Sequence, residues 1–234
     1  MSYIRQAGTG TWKTGARWTI AYPRIETPRP GIMWCHGGGG TGATTIETLT
    51  SPERSVFFAL AEHFPILAVN DVGSNFGAAL DQADLVASLA FLHSFPMVKA
   101  GPVGAVGVSQ GNAAAMNYAQ AHPGEIGAIA GSIPLVDPQD VIDHNRGGFA
   151  AAVTAVLGNP VNPIYNPNGY APGNLPPWEA WASPWDDTCY WDTVQAMATK
   201  LGSVVHDVGA YGHNPLSTGA INPTEIISFF KAHL

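Results

Sequence analysis

The stretch that decides the fold class is VGAVGVSQG, residues 103–111. Residues 103–108 are small and continuously apolar, which is typical of a strand buried on both faces of a parallel sheet. A helical pattern starts at Gln110 and runs to His122, where Pro123-Gly124 stops it. A single residue, Ser109, therefore joins a buried strand to a helix through a sharp turn.

Strands and helices alternate on both sides of this turn. We expect strands over residues 17–22, 32–35, 65–69, 178–182 and 203–208, an apolar run from 126, and helices over 52–63, 79–93, 191–201 and 224–234. Such alternation predicts an α/β fold with a mostly parallel sheet flanked by helices on both faces.

The segment from Val136 to Pro177 interrupts this alternation. It contains a short helical pattern over residues 148–157, followed by an Asn- and Pro-rich stretch. Loops this long inside a compact domain usually serve as lids or binding surfaces. We expect one domain over residues 1–234, with a lid-like insertion at about 136–177.

Composition excludes several functions. The net charge is −7, with 10 Lys and Arg against 17 Asp and Glu; no basic stretch could follow a phosphate backbone, so nucleic-acid binding is not expected. No apolar run reaches the length of about 18 residues that a membrane-spanning helix needs. The N-terminus has no apolar segment typical of a secretory signal. The two cysteines, Cys35 and Cys189, fit no metal-ligand spacing, so no metal site is expected. We expect two free buried thiols, the alternative being a disulfide between them.

Ser109 is a candidate nucleophile because GVSQG, residues 107–111, matches G-x-S-x-G. A serine at the tip of a strained strand-to-helix turn needs small residues two positions away on either side. The alternative is a Gly-rich turn in which Ser109 is an incidental helix cap. The position directly after a buried strand favours the nucleophile.

A second Gly-rich turn, HGGGGTG at residues 36–42, follows the predicted strand 32–35. Glycines let backbone N–H groups approach a substrate, where they can stabilise a developing oxyanion. We expect one donor from Gly38 or Gly39 and the other from Gln110, the residue after the nucleophile. The turn lacks the Lys of a phosphate-binding loop. We expect His36 to hold this turn in place.

An activated serine needs an imidazole base that a carboxylate orients. His213 follows the last predicted strand in GAYGHNP, residues 209–215, and is the preferred base, with His144 in the insertion as an outside alternative. Asp186 in PWDDT, residues 184–188, is the preferred acid; Asp187 is the close alternative and Asp137 the third candidate. Two neighbouring aromatic residues, Trp185 and Tyr190, are predicted to bind substrate, the alternative being aromatic packing.

Together these motifs resemble the α/β-hydrolase superfamily over nearly the whole chain, and most of all compact esterases related to dienelactone hydrolases and polyester depolymerases. The order Ser109, Asp186, His213 agrees with that superfamily. The resemblance implies cleavage of a small-molecule or polymer-borne carboxylic ester through an acyl-enzyme, without a cofactor. Serine stands where dienelactone hydrolases carry cysteine, which favours an esterase.

A less specific resemblance concerns residues 134–149, which look like hydrolase-like proteins encoded by actinobacterial phages. It implies a virion-associated enzyme in place of a cytoplasmic one. Two other functions stay open at this point. One is a catalytically silent hydrolase fold used as a binding or structural module, for example in a phage tail. The other is a thioesterase or peptidase that uses the same residues.

Overall fold

The architecture comes from a computed structural model, which describes residues 3–9, 16–24, 27–38, 42–47, 52–70, 72, 75–213 and 220–234. The described residues contain an eight-stranded sheet. Its strands are β1 (Tyr3–Thr9), β2 (Arg17–Pro23), β3 (Ile32–Cys35), β4 (Ile66–Val69), β5 (Val103–Val108), β6 (Ile126–Ser132), β7 (Trp178–Ala182) and β8 (Val205–Asp207).

The strand order is β1-β2-β4-β3-β5-β6-β7-β8. The pairs β1–β2 and β2–β4 are antiparallel, and every pair from β4 to β8 is parallel. This mostly parallel sheet, flanked by helices, confirms the predicted fold class, the α/β-hydrolase fold. Strand β5 lies in the middle of the sheet, and all six of its residues are buried. Its carboxyl end is therefore the natural place for a site.

The helices cover both faces of the sheet. They are α1 (Gly42–Glu47), α2 (Pro52–Ala61), α3 (Ala79–His93), α4 (Gln110–Ala121), α5 (Pro138–His144), α6 (Ala150–Leu157), α7 (Trp191–Leu201) and α8 (Pro223–His233). Alternate strand residues point to opposite faces, so Met33 joins a core with α3, α4 and α7, whereas Trp34 joins one with α2 and α8. None of the helices in the described part of the chain has the length and apolar character to cross a membrane.

Sequence patterning misses strand β1, as it does the short helices α1 and α5. Strand β1 lies at the edge of the sheet and pairs only with β2. Its residues are half-buried or exposed, so they carry neither the apolar run of a central strand nor a clear alternation. Backbone pairing with β2 holds this strand in place.

The segment between β6 and β7 contains α5, α6 and four short 3₁₀ helices. Asn162 and Asn166 each precede a proline, and each side chain accepts a hydrogen bond from the backbone N–H two residues on. Each Asn-Pro pair thus starts a turn, because the proline needs no N–H partner and the asparagine caps the next donor. The segment packs on the main body through a small apolar cluster that includes Ala113, Val153 and Cys189.

Candidate active site

Ser109 stands alone between the last residue of β5 and the first residue of α4. Its backbone has φ 50° and ψ −119°, a left-handed conformation that side-chain-bearing residues rarely adopt. Such strain persists only where the surroundings enforce it, and it is common at functional sites. The parallel sheet and α4 enforce this backbone conformation. Ser109 therefore lies just beyond the carboxyl end of β5, at the start of α4.

Two glycines make this turn possible. A Cβ at Gly107 would overlap the backbone of Asn112, and one at Gly111 would overlap the carbonyl oxygens of Cys35 and His36. The G-x-S-x-G spacing therefore has a physical cause in this chain: α4 passes too close to β5 and to the end of β3 for any side chain at either position.

A continuous chain of hydrogen bonds starts at Ser109. Its Oγ lies 3.0 Å from Nε2 of His213, and the Nδ1 of His213 lies 2.9 Å from Oδ2 and 3.0 Å from Oδ1 of Asp186. An ionised carboxylate can only accept, so Nδ1–H donates to Asp186 and Nε2 is left to accept the Ser109 proton. The Asp186 side chain has no exposed surface, which keeps this interaction out of water.

The structure brings Asp186, and not Asp187, to the imidazole. Oδ1 of Asp186 also accepts hydrogen bonds from the backbone N–H groups of Thr188 (2.8 Å) and Cys189 (2.9 Å). Asp187 is exposed and accepts from its neighbour Thr188 Oγ1 at 3.3 Å.

The other candidates have structural roles elsewhere. Asp137 caps α5 by accepting from the N–H groups of Gln139 and Asp140. His144 pairs with Asp140 at 2.8 Å on the surface of the same helix. Neither side chain contributes to the hydrogen-bond chain at Ser109.

The turn after β3 closes against Ser109. A Cβ at Gly37 would contact the Ser109 Cβ at 3.3 Å, and one at Gly38 would contact the Gln110 amide oxygen at 3.3 Å. Gln110 is the first residue of α4, so its backbone N–H has no acceptor within the helix. Of the predicted oxyanion donors, Gly38 and Gln110 thus lie together, whereas Gly39 falls outside the described residues.

His36 holds this turn to its neighbour, as we expected. Its Nε2 lies 2.7 Å from the carbonyl oxygen of Asn70, and its Nδ1 lies 2.8 Å from that of Gly37. The side chain is buried. The imidazole therefore links the loops that follow β3 and β4.

A cavity of about 80 Å³ opens at Ser109. Its walls are mostly apolar, and the residues that line it are Gly38, Phe76, Ser109, Gln110, Leu135, Val141, Phe149, Val153, Thr188, Cys189 and His213. Val141, Phe149 and Val153 come from the segment between β6 and β7. Sequence reasoning missed these wall residues, because nothing in their local pattern distinguishes them from ordinary core positions.

The two aromatic residues predicted to bind substrate, Trp185 and Tyr190, do not line this cavity, and their contact with substrate stays a prediction. The Trp185 side chain is 73% exposed, because the turn that buries Asp186 directs its predecessor to solvent. The Tyr190 ring packs under the guanidinium of Arg146, 3.9 Å from the ring centroid. The Tyr190 ring thus makes a cation–π interaction with Arg146, which belongs to the segment between β6 and β7.

Both cysteines are free and buried, as the sequence predicts. Burial raises the pKa of the Cys189 thiol well above its usual value, and the Asp186 carboxylate raises it further. Its Sγ lies 3.9 Å from Ser109 Oγ. Asp186, Cys189 and His213 also form a group of potential metal ligands, with one ligand atom each, all within 4.8 Å of one another.

Known structures with this architecture are serine-hydrolase folds of low sequence identity. An acylaminoacyl peptidase from Pyrococcus horikoshii superposes with a TM-score of 0.73 at 15% identity, covering 99% of this chain and 41% of its own. An S-formylglutathione hydrolase from Agrobacterium tumefaciens gives 0.72 at 14% identity, covering 98% and 94%. A Pyrobaculum calidifontis esterase gives 0.68 at 17% identity, covering 98% and 83%.

These likenesses establish the α/β-hydrolase fold. The chain spans between 36% and 42% of the length of four peptidase structures that it matches. No protein-family model and no curated protein matches the chain. The neighbours named above are bacterial and archaeal enzymes, and they give the resemblance to phage-encoded hydrolases no support.

Proposed function

We propose that this protein is a serine hydrolase that cleaves short-chain carboxylic esters through an acyl-enzyme. The observation that carries the proposal is the hydrogen-bond chain from Ser109 through His213 to the buried carboxylate of Asp186. A serine hydroxyl is a weak nucleophile until an adjacent base takes its proton, and the base must be oriented by a third group. All three side chains are within hydrogen-bond reach of their partners before any substrate binds.

The proposed reaction has two halves. Ser109 Oγ attacks the ester carbonyl carbon while Nε2 of His213 takes its proton, and the imidazolium then protonates the departing alcohol. Water, activated by His213, hydrolyses the acyl-enzyme in the same way. Asp186 stabilises the imidazolium in both halves without taking the proton itself. The N–H groups of Gln110 and Gly38 are the proposed donors to the oxyanion.

The cavity supports a short acyl group. Sites for drug-sized ligands usually have about 300–1,000 Å³, whereas this cavity has about 80 Å³. Its apolar lining favours a hydrocarbon chain of a few carbons over a sugar or a charged group. We propose that the segment 136–177 acts as a cap that sets the acyl length, because Val141, Phe149 and Val153 form one side of the cavity.

Labelling with a fluorophosphonate tests the nucleophile. We expect the wild-type chain to be labelled and Ser109→Ala not to be labelled. Ser228→Ala is the matched control, because Ser228 lies exposed on α8 and its hydroxyl bonds to the helix backbone. A wild-type chain that resists labelling, or Ser109→Ala labelled equally, would favour the silent binding module over the enzyme.

A substrate panel tests the ester specificity. p-Nitrophenyl acetate and butyrate should be hydrolysed with a higher kcat/KM than the octanoate, an acetyl thioester and a peptide anilide. If the thioester or the anilide is hydrolysed faster than the acetate and butyrate esters, Ser109, His213 and Asp186 would serve a thioesterase or a peptidase.

A further inference from the structure

Cys189 is a buried nucleophilic group that the proposed acyl transfer does not use. Its Sγ lines the cavity 3.9 Å from Ser109 Oγ. Its backbone N–H donates to Asp186 at 2.9 Å, so the thiol is held rigidly beside the carboxylate and the imidazole. The thiol of Cys189 and the imidazole of His213, which both line the cavity, therefore lie beside the buried carboxylate of Asp186.

These three side chains have the composition of a transition-metal site. Zn²⁺ binds His nitrogen and Asp oxygen at about 2.0–2.2 Å and Cys sulfur at about 2.3 Å, so tetrahedral ligands lie roughly 3.3–3.6 Å apart. One ligand atom from each of Asp186, Cys189 and His213 already lies within 4.8 Å of the other two. Shifts of roughly 1 Å would bring the three ligand atoms to these separations, and a catalytic type of zinc site needs three protein ligands only.

We propose that the protein binds one thiophilic divalent cation, such as Zn²⁺ or Cd²⁺, at Asp186, Cys189 and His213. The Cys189 S–H bond breaks on binding, its electron pair goes to the metal, and the proton is released to water. One thiolate and one carboxylate then neutralise the two positive charges. A thiolate ligand selects soft or borderline metals over Mg²⁺ and Ca²⁺, which prefer oxygen ligands.

Metal binding would switch the site off. Either ring nitrogen of His213 that binds the cation loses the hydrogen bond it now makes, to Ser109 or to Asp186. The imidazole can then no longer pass a proton between Ser109 and the leaving group. This inhibition rests on the proposed function, whereas the binding itself does not.

Titration of the full chain with Cd²⁺ tests the binding through the ultraviolet thiolate-to-cadmium charge-transfer band. We expect one equivalent to produce the band in the wild type and in Cys35→Ala, the matched control, because Cys35 is the other buried thiol and does not belong to this group of ligands. Cys189→Ala should lose the band, and His213→Ala should weaken Cd²⁺ affinity at least about tenfold. Mg²⁺ should not compete.

The wild-type titration alone can overturn the proposal, whatever the folding of the variants. Absence of the band, or a band that Cys189→Ala keeps and Cys35→Ala loses, would contradict the site. Ester hydrolysis measured with and without equimolar Zn²⁺ gives the second readout: inhibition should be reversed by EDTA. If fluorophosphonate labels the wild-type chain but Cd²⁺ gives no band, the proposed hydrolase is supported and the metal site is refuted. If Cd²⁺ gives the band but the chain is not labelled, the metal site is supported and the proposed hydrolase is refuted.

Discussion

Oδ2 of Asp186 lies 2.9 Å from Nδ1 of His213, while the next residue along the chain, Asp187, directs an identical side chain to solvent. The difference comes from the turn: the N–H groups of Thr188 and Cys189 both donate to Asp186. A carboxylate held by two backbone donors and a histidine has one orientation, which is what an orienting acid needs.

Asp186→Asn should therefore lower kcat by about 10⁴-fold, because an amide of the same shape can hold the imidazole in the wrong tautomer. Asp187→Asn should change kcat less than about threefold, as expected for a surface substitution. Steady-state hydrolysis of p-nitrophenyl acetate by the two variants gives the comparison. Equal losses, or a larger loss at Asp187, would contradict the assignment of the acid.

Val153 should limit the length of the acyl chain, because it lines the cavity and is fully buried on α6. Val153→Ala should raise the ratio of kcat/KM for p-nitrophenyl hexanoate over the acetate by roughly tenfold, the order of effect that one or two methylene groups have in an apolar pocket. Val156→Ala is the control on the same helix, since Val156 is exposed and does not line the cavity. An unchanged ratio in Val153→Ala would remove this residue from the acyl site.

Gly111→Ala should destabilise the fold, because the added methyl group would overlap two carbonyl oxygens at the end of β3. The expected loss is about 1–3 kcal/mol in the free energy of unfolding, measured by urea denaturation. Gly169→Ala should stay within about 0.5 kcal/mol, since a Cβ there meets nothing within 4 Å. A tolerated Gly111→Ala would mean that α4 can move away from β3.

Tyr170 should anchor the segment between β6 and β7 to α4. Its hydroxyl lies 2.7 Å from Asn117 Oδ1 and 2.6 Å from the carbonyl oxygen of Ile164. The hydroxyl has a single hydrogen and donates to one of these oxygens at a time, so Tyr170→Phe removes that hydrogen bond and should lower the free energy of unfolding by about 1–3 kcal/mol.

Tyr165→Phe is the matched control for this loss, because no hydrogen bond of the Tyr165 hydroxyl occurs among the described residues. Thermal unfolding of the two variants separates them. A Tyr165→Phe loss as large as that of Tyr170→Phe would indicate a general effect of the segment and not the anchoring bond.

Much of the sheet could be predicted because central strands carry their own signal. Val103–Val108 is buried at every position, so continuous apolarity marks it without any knowledge of its neighbours. The edge strand Tyr3–Thr9 could not be found in this way, since pairing with β2 and not burial holds it in the sheet.

The turn at Ser109 could also be predicted from the local sequence. The close approach of α4 to β5 and β3 requires glycine at positions 107 and 111, so the signal lies within five consecutive residues. For the acid, the sequence could only rank Asp186 ahead of Asp187, since adjacent residues of the same type differ in the direction in which a folded turn points them. The residues of the cavity wall could not be predicted from the local sequence for a related reason. Phe149 and Val153 approach Ser109 only after the chain between β6 and β7 folds back over α4, and such long-range contacts depend on how the whole chain packs. Sequence patterning thus located the candidate nucleophile Ser109, whereas tertiary packing decided which aspartate lies against His213 and how much space there is beside Ser109.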